Sequence, residues 1–205
     1  MEVRDRIDHL PGQHYVIRLT ADDGYVAARS YSLSSAPSDP LIEMYVERLA
    51  GGEVSGYLAD VVQPGDELEV RGPIGGWFVW DATSPAVGIG GGTGVAPLVA
   101  MLRHADHVGR RDLLNLVVSA RTRVELPYAD ELGPAAAVTA VTREASLAGR
   151  AAGRLVAAEI QPVLAPGTTY FLCGSTGFTE AVSDLLMDLR VPAAAVRVER
   201  FGPSA

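Results

Sequence analysis

The segment over residues 88–97, Gly-Ile-Gly-Gly-Gly-Thr-Gly-Val-Ala-Pro, limits what this chain can fold into more than any other feature. It follows a short apolar stretch over residues 86–89 and leads into a helical pattern over residues 95–104. Glycines at such a turn let the backbone approach a phosphate, and the free N–H groups where a helix begins attract negative charge. Thr93 stands where the dinucleotide-binding fingerprint has its last glycine. The strand–turn–helix context predicts a phosphate-binding turn, and the alternative is a glycine-rich connection without a ligand.

Apolar strands alternate with helical patterns from this turn onward. Residues 113–119 are a mostly apolar run, as expected for a strand buried on both faces. The other elements are predicted as strands over residues 135–142, 168–173 and 195–201 and as a helix over residues 179–189. Such alternation is typical of a parallel sheet covered by helices. We therefore predict a Rossmann-like parallel α/β nucleotide-binding domain over residues 83–205.

Residues 1–82 follow a different pattern, with short extended runs separated by turn residues. The extended runs cover residues 14–20, 26–33, 41–49 and 67–71, and a short helix is predicted over residues 55–62. Evenly spaced short strands predict an antiparallel barrel or sandwich. Thr83-Ser84-Pro85 is the predicted boundary between the two domains.

Composition excludes several classes of function. The formal net charge of −8 argues against non-specific binding to nucleic acid or to an anionic membrane, and no run has the about 20 apolar residues of a membrane helix. Cys173 is the only cysteine, so the chain cannot supply the thiolates of an iron–sulfur cluster. His104 and His107 lack ligand partners at metal spacing, so no metal site is predicted. The charged N-terminus has no apolar signal region, which favours a cytoplasmic protein.

The segment Arg29-Ser30-Tyr31-Ser32 carries the first of five motifs by which the chain resembles the ferredoxin–NADP reductase family, including the reductase modules of bacterial oxygenases. The resemblance implies that Arg29 pairs with the pyrophosphate of FAD, as a guanidinium can do bidentately. It also implies that Tyr31 lies against the isoalloxazine ring and that Ser32 places its hydroxyl near N5. On its residues alone, the motif also fits a barrel strand with a buried tyrosine.

Two glycine-containing segments resemble the phosphate sites of this family. Gly51-Gly52-Glu53-Val54-Ser55 is similar to a second flavin phosphate loop, in which Ser55 and nearby N–H groups hold the pyrophosphate. The simpler interpretation, compatible with the first, is that Ser55 is a helix N-cap. The turn over residues 88–97 is similar to the nicotinamide-nucleotide pyrophosphate site, with Thr93 close to the nicotinamide.

The remaining motifs lie near the C-terminus. Cys173-Gly174 is followed by a helix, and the resemblance places Cys173 beside the reacting nicotinamide carbon, whereas composition alone favours a buried core cysteine. Glu199 and Phe201 are similar to the glutamate and aromatic residue with which many members end; Phe201 is expected to cover the flavin, or else to be a hydrophobic edge residue. Ser32, Cys173 and Glu199 are the residues predicted to shape the hydride-transfer site.

The choice of nicotinamide nucleotide depends on residues at the ends of the second and third strands of the α/β domain. An NAD-specific fold usually offers a carboxylate after the second strand, but Arg121 stands there and Glu125 comes later. Arg121 and Arg143, the latter preceded by Thr142, are candidates for the 2′-phosphate, and Tyr128 could stack on the adenine. We expect NADP(H) to be favoured over NAD(H), with two solvent-facing arginines as the alternative.

The resemblance implies an antiparallel Greek-key flavin-binding β-barrel over residues 1–82, followed by the Rossmann-like parallel α/β domain. The ten residues before Pro11 make a poor strand, so either the barrel lacks its first strand or the sequence begins too late to include it. The predicted cofactor-binding set is Arg29, Ser30, Tyr31, Ser32, Val46, Gly52, Val54, Ser55, Gly91, Gly92, Thr93, Gly94, Pro97, Arg121, Tyr128, Thr142, Arg143, Cys173, Gly174, Phe178 and Phe201.

The implied activity is an FAD-dependent NAD(P)H oxidoreductase. Hydride passes from NAD(P)H to N5 of FAD, and electrons pass to a separate acceptor such as a ferredoxin or an oxygenase component, because the chain has no cluster of its own. One alternative is an NAD(P)H:flavin reductase that releases free reduced flavin. The other is a non-catalytic dinucleotide-binding module. Purified yellow protein would favour the first interpretation over both alternatives.

Overall fold

The computed structural model describes residues 1–145 and 149–201. Its first half contains a three-stranded antiparallel sheet in the order β2-β1-β3, formed by β1 (His14–Thr20), β2 (Val26–Ser32) and β3 (Glu69–Ile74). Alternate residues of β1 face the interior, where Tyr15 and Ile17 are almost completely buried. The helix α1 (Glu53–Asp60) covers this interior, because Val54 packs into the same cluster as Ile17.

The prediction of a strand over residues 41–49 is wrong. In the described part of the chain this segment makes only an isolated bridge, between Leu33 and Met44. Its alternating residues Tyr45, Glu47 and Leu49 line a cavity and do not pack against a partner strand. The predicted extended run is therefore present as an extended segment with one side facing the cavity, and not as a strand of the sheet.

The described residues before β1 form no strand. They nevertheless pack closely against residues 35–42. The backbone of Met1 pairs with that of Ile42 in both directions, at 2.7 and 3.0 Å. Arg6 donates to the carbonyls of Asp39 and Pro37 at 2.6 and 3.1 Å, so the segment holds the loop that follows β2.

The second half is a five-stranded parallel sheet in the order β6-β5-β4-β7-β8. The strands are β4 (Ala86–Gly91), β5 (Leu114–Ala120), β6 (Val138–Val141), β7 (Thr169–Ser175) and β8 (Val196–Phe201). The helices are α2 (Ala96–His107), α3 (Ala129–Ala135), α4 (Ala157–Ile160) and α5 (Thr176–Asp188). All predicted strands of this half are present, within a few residues of their predicted bounds. No helix in residues 1–145 and 149–201 is long and apolar enough to cross a membrane.

Two apolar clusters cover opposite faces of the parallel sheet. One joins Leu98 and Met101 of α2 to Leu116 of β5, and the other joins Ile89 of β4 to Leu186 of α5. Phe78 and Trp80 also pack into the first cluster, although they precede the predicted boundary at residues 83–85. The two halves are therefore joined through buried apolar surface, and the division at residue 82 stays a prediction.

Candidate functional site

A cavity of about 1450 Å³ lies between the two halves. Typical small-molecule sites measure about 300–1,000 Å³, so this cavity is large enough for more than one small ligand. One wall comes from β2, the extended segment after it and the start of α1, and the other comes from the carboxyl ends of β4, β5, β7 and β8. Crevices at the carboxyl ends of parallel strands are where α/β sheets bind ligands.

The Arg-x-Tyr-Ser segment lines the first wall. Ser32 is buried, and its hydroxyl has no hydrogen-bond partner among the described residues. Tyr31 is half-buried, and burial raises the pKa of its hydroxyl against the opposing effect of Arg29. The Arg29 side chain is exposed, donates to the carbonyl of Ala28 at 2.7 Å and forms no ion pair within the described part. An unpaired cation and an orphan buried hydroxyl thus face the same cavity.

The start of α1 completes this wall. Gly52 is the N-cap and offers no side-chain acceptor, so the first N–H groups of the helix have no intrahelical partner. The interpretation of Ser55 as the N-cap is wrong, because Ser55 lies inside the helix and not at its start. Its hydroxyl accepts from the N–H of Leu49 at 3.2 Å and reaches the carbonyl of Gly52 at 3.5 Å. Ser55 therefore holds the loop that leads into the helix, and it lines the cavity together with Gly51, Gly52 and Val54.

The glycine-rich turn forms part of the second wall, where Gly91, Gly92 and Thr93 line the cavity. Gly92 has a φ of +56° with open space in front of it, so the turn needs its left-handed backbone. Gly94 is required for packing, because a Cβ there would lie 2.3 Å from the carbonyl oxygen of Cys173. Gly94 and Pro97 are buried and lie behind the cavity surface.

Phe178 and Phe201 lie at the rim formed by β7, β8 and α5, and both line the cavity. Carbon atoms of the Phe178 ring would lie 2.7 Å from a Cβ built on Gly91 and 2.8 Å from one built on Gly174. The ring therefore rests directly on the two glycine backbones, and a side chain at either position would displace it.

Cys173 and Glu199 are neighbours on β7 and β8. Cys173 is completely buried, and burial, reinforced by the nearby carboxylate of Glu199, raises the pKa of its thiol well above the ordinary value. Burial also raises the pKa of Glu199 from its ordinary 4.5 to about 7, and its Oε2 has no partner in the described part. The two side chains lie behind the cavity surface; the neighbouring Ser175 and Arg200 line the cavity.

The protonation of Glu199 gives a testable prediction. An acid with a raised pKa keeps in the native state a proton that the unfolded state has released, so stability should fall between about pH 4.5 and 7. Glu199→Gln removes this loss, and we expect it to raise the free energy of unfolding at pH 8 by about 2 kcal/mol, discounted for partial solvent exposure. Urea unfolding at pH 5 and pH 8 measures the effect. Glu180→Gln, on the exposed side of α5, is the control; an equal gain in both variants would contradict the prediction.

The residues predicted to bind the nicotinamide nucleotide do not all line the cavity. Arg121 and Thr142 line the cavity, whereas Arg143 is not part of the described lining, although its N–H donates to the carbonyl of Arg121 at 2.9 Å. Arg154 also lines the cavity. It was not predicted, because it follows β6 in an irregular segment whose position the sequence pattern does not indicate.

Tyr128, predicted to stack on the adenine, and Val46, predicted to contact the flavin, do not line the cavity in the described part. The Tyr128 hydroxyl donates to Ser34 Oγ at 2.8 Å, across the junction between the halves. Its ring packs edge-on against Tyr45, with 5.8 Å between centroids. Tyr45 does line the cavity, so Tyr128 supports a lining residue from behind.

Comparisons with known proteins find relatives over most of the chain. Residues 2–79 match the family model of the oxidoreductase FAD-binding domain. A flavohemoprotein from Deinococcus radiodurans is 33% identical over 196 residues, which are 86% of this chain and 47% of that protein. The ferredoxin–NAD(P)(+) reductase component of the naphthalene 1,2-dioxygenase/salicylate 5-hydroxylase systems of a Ralstonia species is 28% identical, over 97% of this chain and 62% of that protein. The chain thus spans about half the length of the curated relatives it matches.

A solved structure extends the similarity to both halves together. The flavohem-like FAD/NAD-binding domain of nitric oxide dioxygenase from Vibrio cholerae superposes with a TM-score of 0.83 at 28% identity. The superposition covers 96% of this chain and 87% of that one. The predicted fold class, a flavin-binding β-domain followed by a parallel α/β domain, is confirmed.

Proposed function

The chain belongs to the ferredoxin–NADP reductase family, and from this premise we propose that it is an FAD-dependent NAD(P)H oxidoreductase that passes electrons to a separate acceptor. The observation that carries the proposal is the cavity between the halves, which has a cation and an open helix start on one wall and a glycine-rich turn on the other. Two anionic dinucleotides would each find a phosphate-binding feature on a different wall.

The first wall suits FAD in its charge and its unsatisfied groups. Arg29 would bind the pyrophosphate bidentately, together with the unpaired N–H groups at the beginning of α1. Ser30 and Tyr31 line the same wall, and the orphan hydroxyl of Ser32 would find there the polar partner that a buried hydroxyl needs. When bound, FAD supplies a ring that accepts a hydride and gives electrons up again.

The second wall suits a nicotinamide nucleotide. Gly91, Gly92 and Thr93 would hold its pyrophosphate, and Phe178 keeps the backbone at Gly91 and Gly174 in position. Phe201 would cover the flavin until the nicotinamide enters. Cys173 and Glu199 act on this wall from behind: the buried thiol stays protonated at neutral pH, and the carboxyl, with its pKa of about 7, can hold or release a proton there.

The acceptor is proposed to be a separate redox protein, a ferredoxin or an oxygenase component. The chain has one cysteine and cannot hold an iron–sulfur cluster. Among the described residues, no group of histidine, cysteine and acidic side chains could hold a metal ion either. Electrons that leave the flavin singly would therefore have to pass to another polypeptide or to a part of a longer chain.

We propose that NADP(H) is preferred over NAD(H), with Arg121 as the cation that binds the 2′-phosphate. Arg121→Ala should weaken NADPH binding by about tenfold and leave NADH binding nearly unchanged, because only NADPH carries the extra phosphate. The dissociation constants of both nucleotides, measured by titration, test this. Arg143→Ala is the matched control, because Arg143 is hydrogen-bonded to Arg121 just beyond the ends of β5 and β6 but does not line the cavity. Equal weakening of both nucleotides by Arg121→Ala would contradict the assignment.

An absorbance spectrum before and after anaerobic addition of NADPH tests the proposed function. The expected result is yellow protein whose flavin band bleaches on addition of the nucleotide. Colourless protein that oxidises NAD(P)H only with added flavin would instead indicate a reductase that releases free flavin. Folded protein that takes up no flavin under any condition would overturn the proposal and favour a dinucleotide-binding module.

A further inference from the structure

Resting on the proposed function, we propose that Arg103 is a positioning residue that fixes the spacing between the two walls of the cavity. It does so through an interdomain clasp, which consists of Arg103, Tyr128 and Glu131 from the second half and Ser34 and Glu43 from the first. None of these five residues lines the cavity, so the proposal concerns residues that act through others.

The Arg103 guanidinium binds both halves at once. Its Nη1 donates to Glu43 Oε1 at 2.9 Å and to the carbonyl of Ser34 at 3.1 Å. Its Nε and Nη2 donate to the two carboxylate oxygens of Glu131 at 2.9 and 2.7 Å. Only 24% of the side chain is exposed, and a forked, charge-assisted arrangement of this kind specifies geometry as well as adding energy.

Tyr128 adds a second link across the same junction. Its hydroxyl donates to Ser34 Oγ at 2.8 Å, which in turn donates to Glu43 Oε1 at 3.0 Å. The Arg103 guanidinium lies 5.3 Å from the centroid of the Tyr128 ring, at cation–π distance. Burial by itself would raise the pKa of Glu43, but the nearby Tyr128 hydroxyl and the hydrogen bonds from Arg103 and Ser34 hold it below its ordinary value, so the carboxylate stays charged at neutral pH.

The clasp lies directly behind residues that form the cavity. Ser34 follows the lining residue Ser32 by two positions, and Glu43 precedes the lining residue Tyr45 by two. The N–H of Ser34 donates to the carbonyl of Glu43 at 2.9 Å, so these two segments move as one. On the other side, Arg103 belongs to the helix that begins after the glycine-rich turn. A displacement at Arg103 would therefore change the separation of the flavin wall from the nicotinamide wall.

The buried apolar junction at Phe78 and Trp80 does not make the clasp redundant. Arg197 of β8 donates to the carbonyls of Trp77 and Val79 at 3.1 and 3.0 Å, so this junction already has one directional link. The clasp adds directional hydrogen bonds at a second place, and two separated links restrict the mutual angle of the halves more than one link does. Hydride transfer needs donor and acceptor in near-contact, and a misplacement of about 1 Å can cost about 100-fold in rate.

The test compares Arg103→Ala with Arg18→Ala, which removes an exposed arginine whose ion pair with Glu69 lies within the first half. Spin labels are attached to cysteines introduced by Asp23→Cys in the first half and Asp188→Cys in the second, because both positions are exposed. The labels report the distribution of distances between the halves in protein without flavin or nucleotide. Cys173 is buried and does not react with the label. Stopped-flow mixing with saturating NADPH then gives the limiting rate of flavin reduction, and titration gives the affinity for FAD.

We expect Arg103→Ala to broaden the distance distribution and to lower the limiting rate of flavin reduction about tenfold or more, without a change in FAD affinity. Arg103→Lys should restore part of this rate. Arg18→Ala should change none of these. An unchanged distance distribution and rate in Arg103→Ala would overturn the proposal, even if the variant melts earlier. If Arg103→Ala does not fold, Glu43→Gln and Tyr128→Phe carry the same expectations in weaker form. If neither NADPH nor NADH reduced the flavin bound to the wild-type protein, the proposed function would be refuted. The distance measurement would still decide the role of the clasp.

Discussion

Arg29→Ala is expected to weaken FAD binding by about 100-fold, so that the protein loses its flavin during purification. Arg29 is exposed, its only hydrogen bond is to the carbonyl of Ala28, and it forms no ion pair within the described part of the chain. It therefore contributes little to folding. A charge-assisted bidentate contact with a pyrophosphate contributes about 1.5–3 kcal/mol, which is up to about 100-fold in the dissociation constant.

Titration of flavin-free protein with FAD, followed by the quenching of flavin fluorescence, measures this effect. Arg29→Lys keeps the positive charge but loses the forked geometry, and should lie between the wild type and alanine. Arg18→Ala changes the charge of the same sheet by the same amount, away from the cavity, and should bind FAD like the wild type. If Arg29→Ala bound FAD with wild-type affinity, Arg29 would have no part in the flavin site.

The strands of the parallel sheet could be predicted from the sequence because they are buried on both faces. The run over residues 113–119 contains no alternation to misread, and the strand is found over Leu114–Ala120. The strands of the first half were harder to predict, because apolar residues on one side of an extended segment can either pack in a sheet or line a cavity. Tyr45 and Leu49 lie on the same side of such a segment, yet they line a ligand-sized cavity and do not pack against a partner strand. A periodic pattern indicates which residues share one side of a segment, but it does not indicate what that side contacts.

Residues that line the cavity could be predicted from the sequence where they belong to one local motif, but not where they depend on the meeting of distant segments. Gly91, Gly92 and Thr93 line the cavity because strand, turn and helix are contiguous in the chain. Tyr128 was expected at the adenine, but it contacts Ser34, which is 94 residues away. Arg154 was missed for the same reason. No pattern within one segment indicates that another segment will pack against it.

The glycine-rich turn is predicted to bind a phosphate, and its glycines have different structural roles. Gly92 supplies a left-handed backbone, and Gly94 supplies close contact between the turn and the end of β7. A Cβ on Gly94 would lie 2.3 Å from the carbonyl oxygen of Cys173 and 2.6 Å from the Cα of Gly174. Both are backbone atoms, which cannot rotate away as a side chain could. The expected consequences of substitution at the two glycines are therefore unequal.

Gly94→Ala is expected to lower the free energy of unfolding by about 3 kcal/mol and the midpoint of thermal unfolding by about 10 °C, because the turn and β7 must separate. Gly92→Ala, in the same turn, meets open space and should cost only about 1 kcal/mol for its positive φ. Thermal and urea unfolding of both variants, followed by circular dichroism, give the comparison. Equal losses in stability would mean that the turn does not pack on the Cys173–Gly174 backbone, and that this contact does not hold the second wall of the cavity in place.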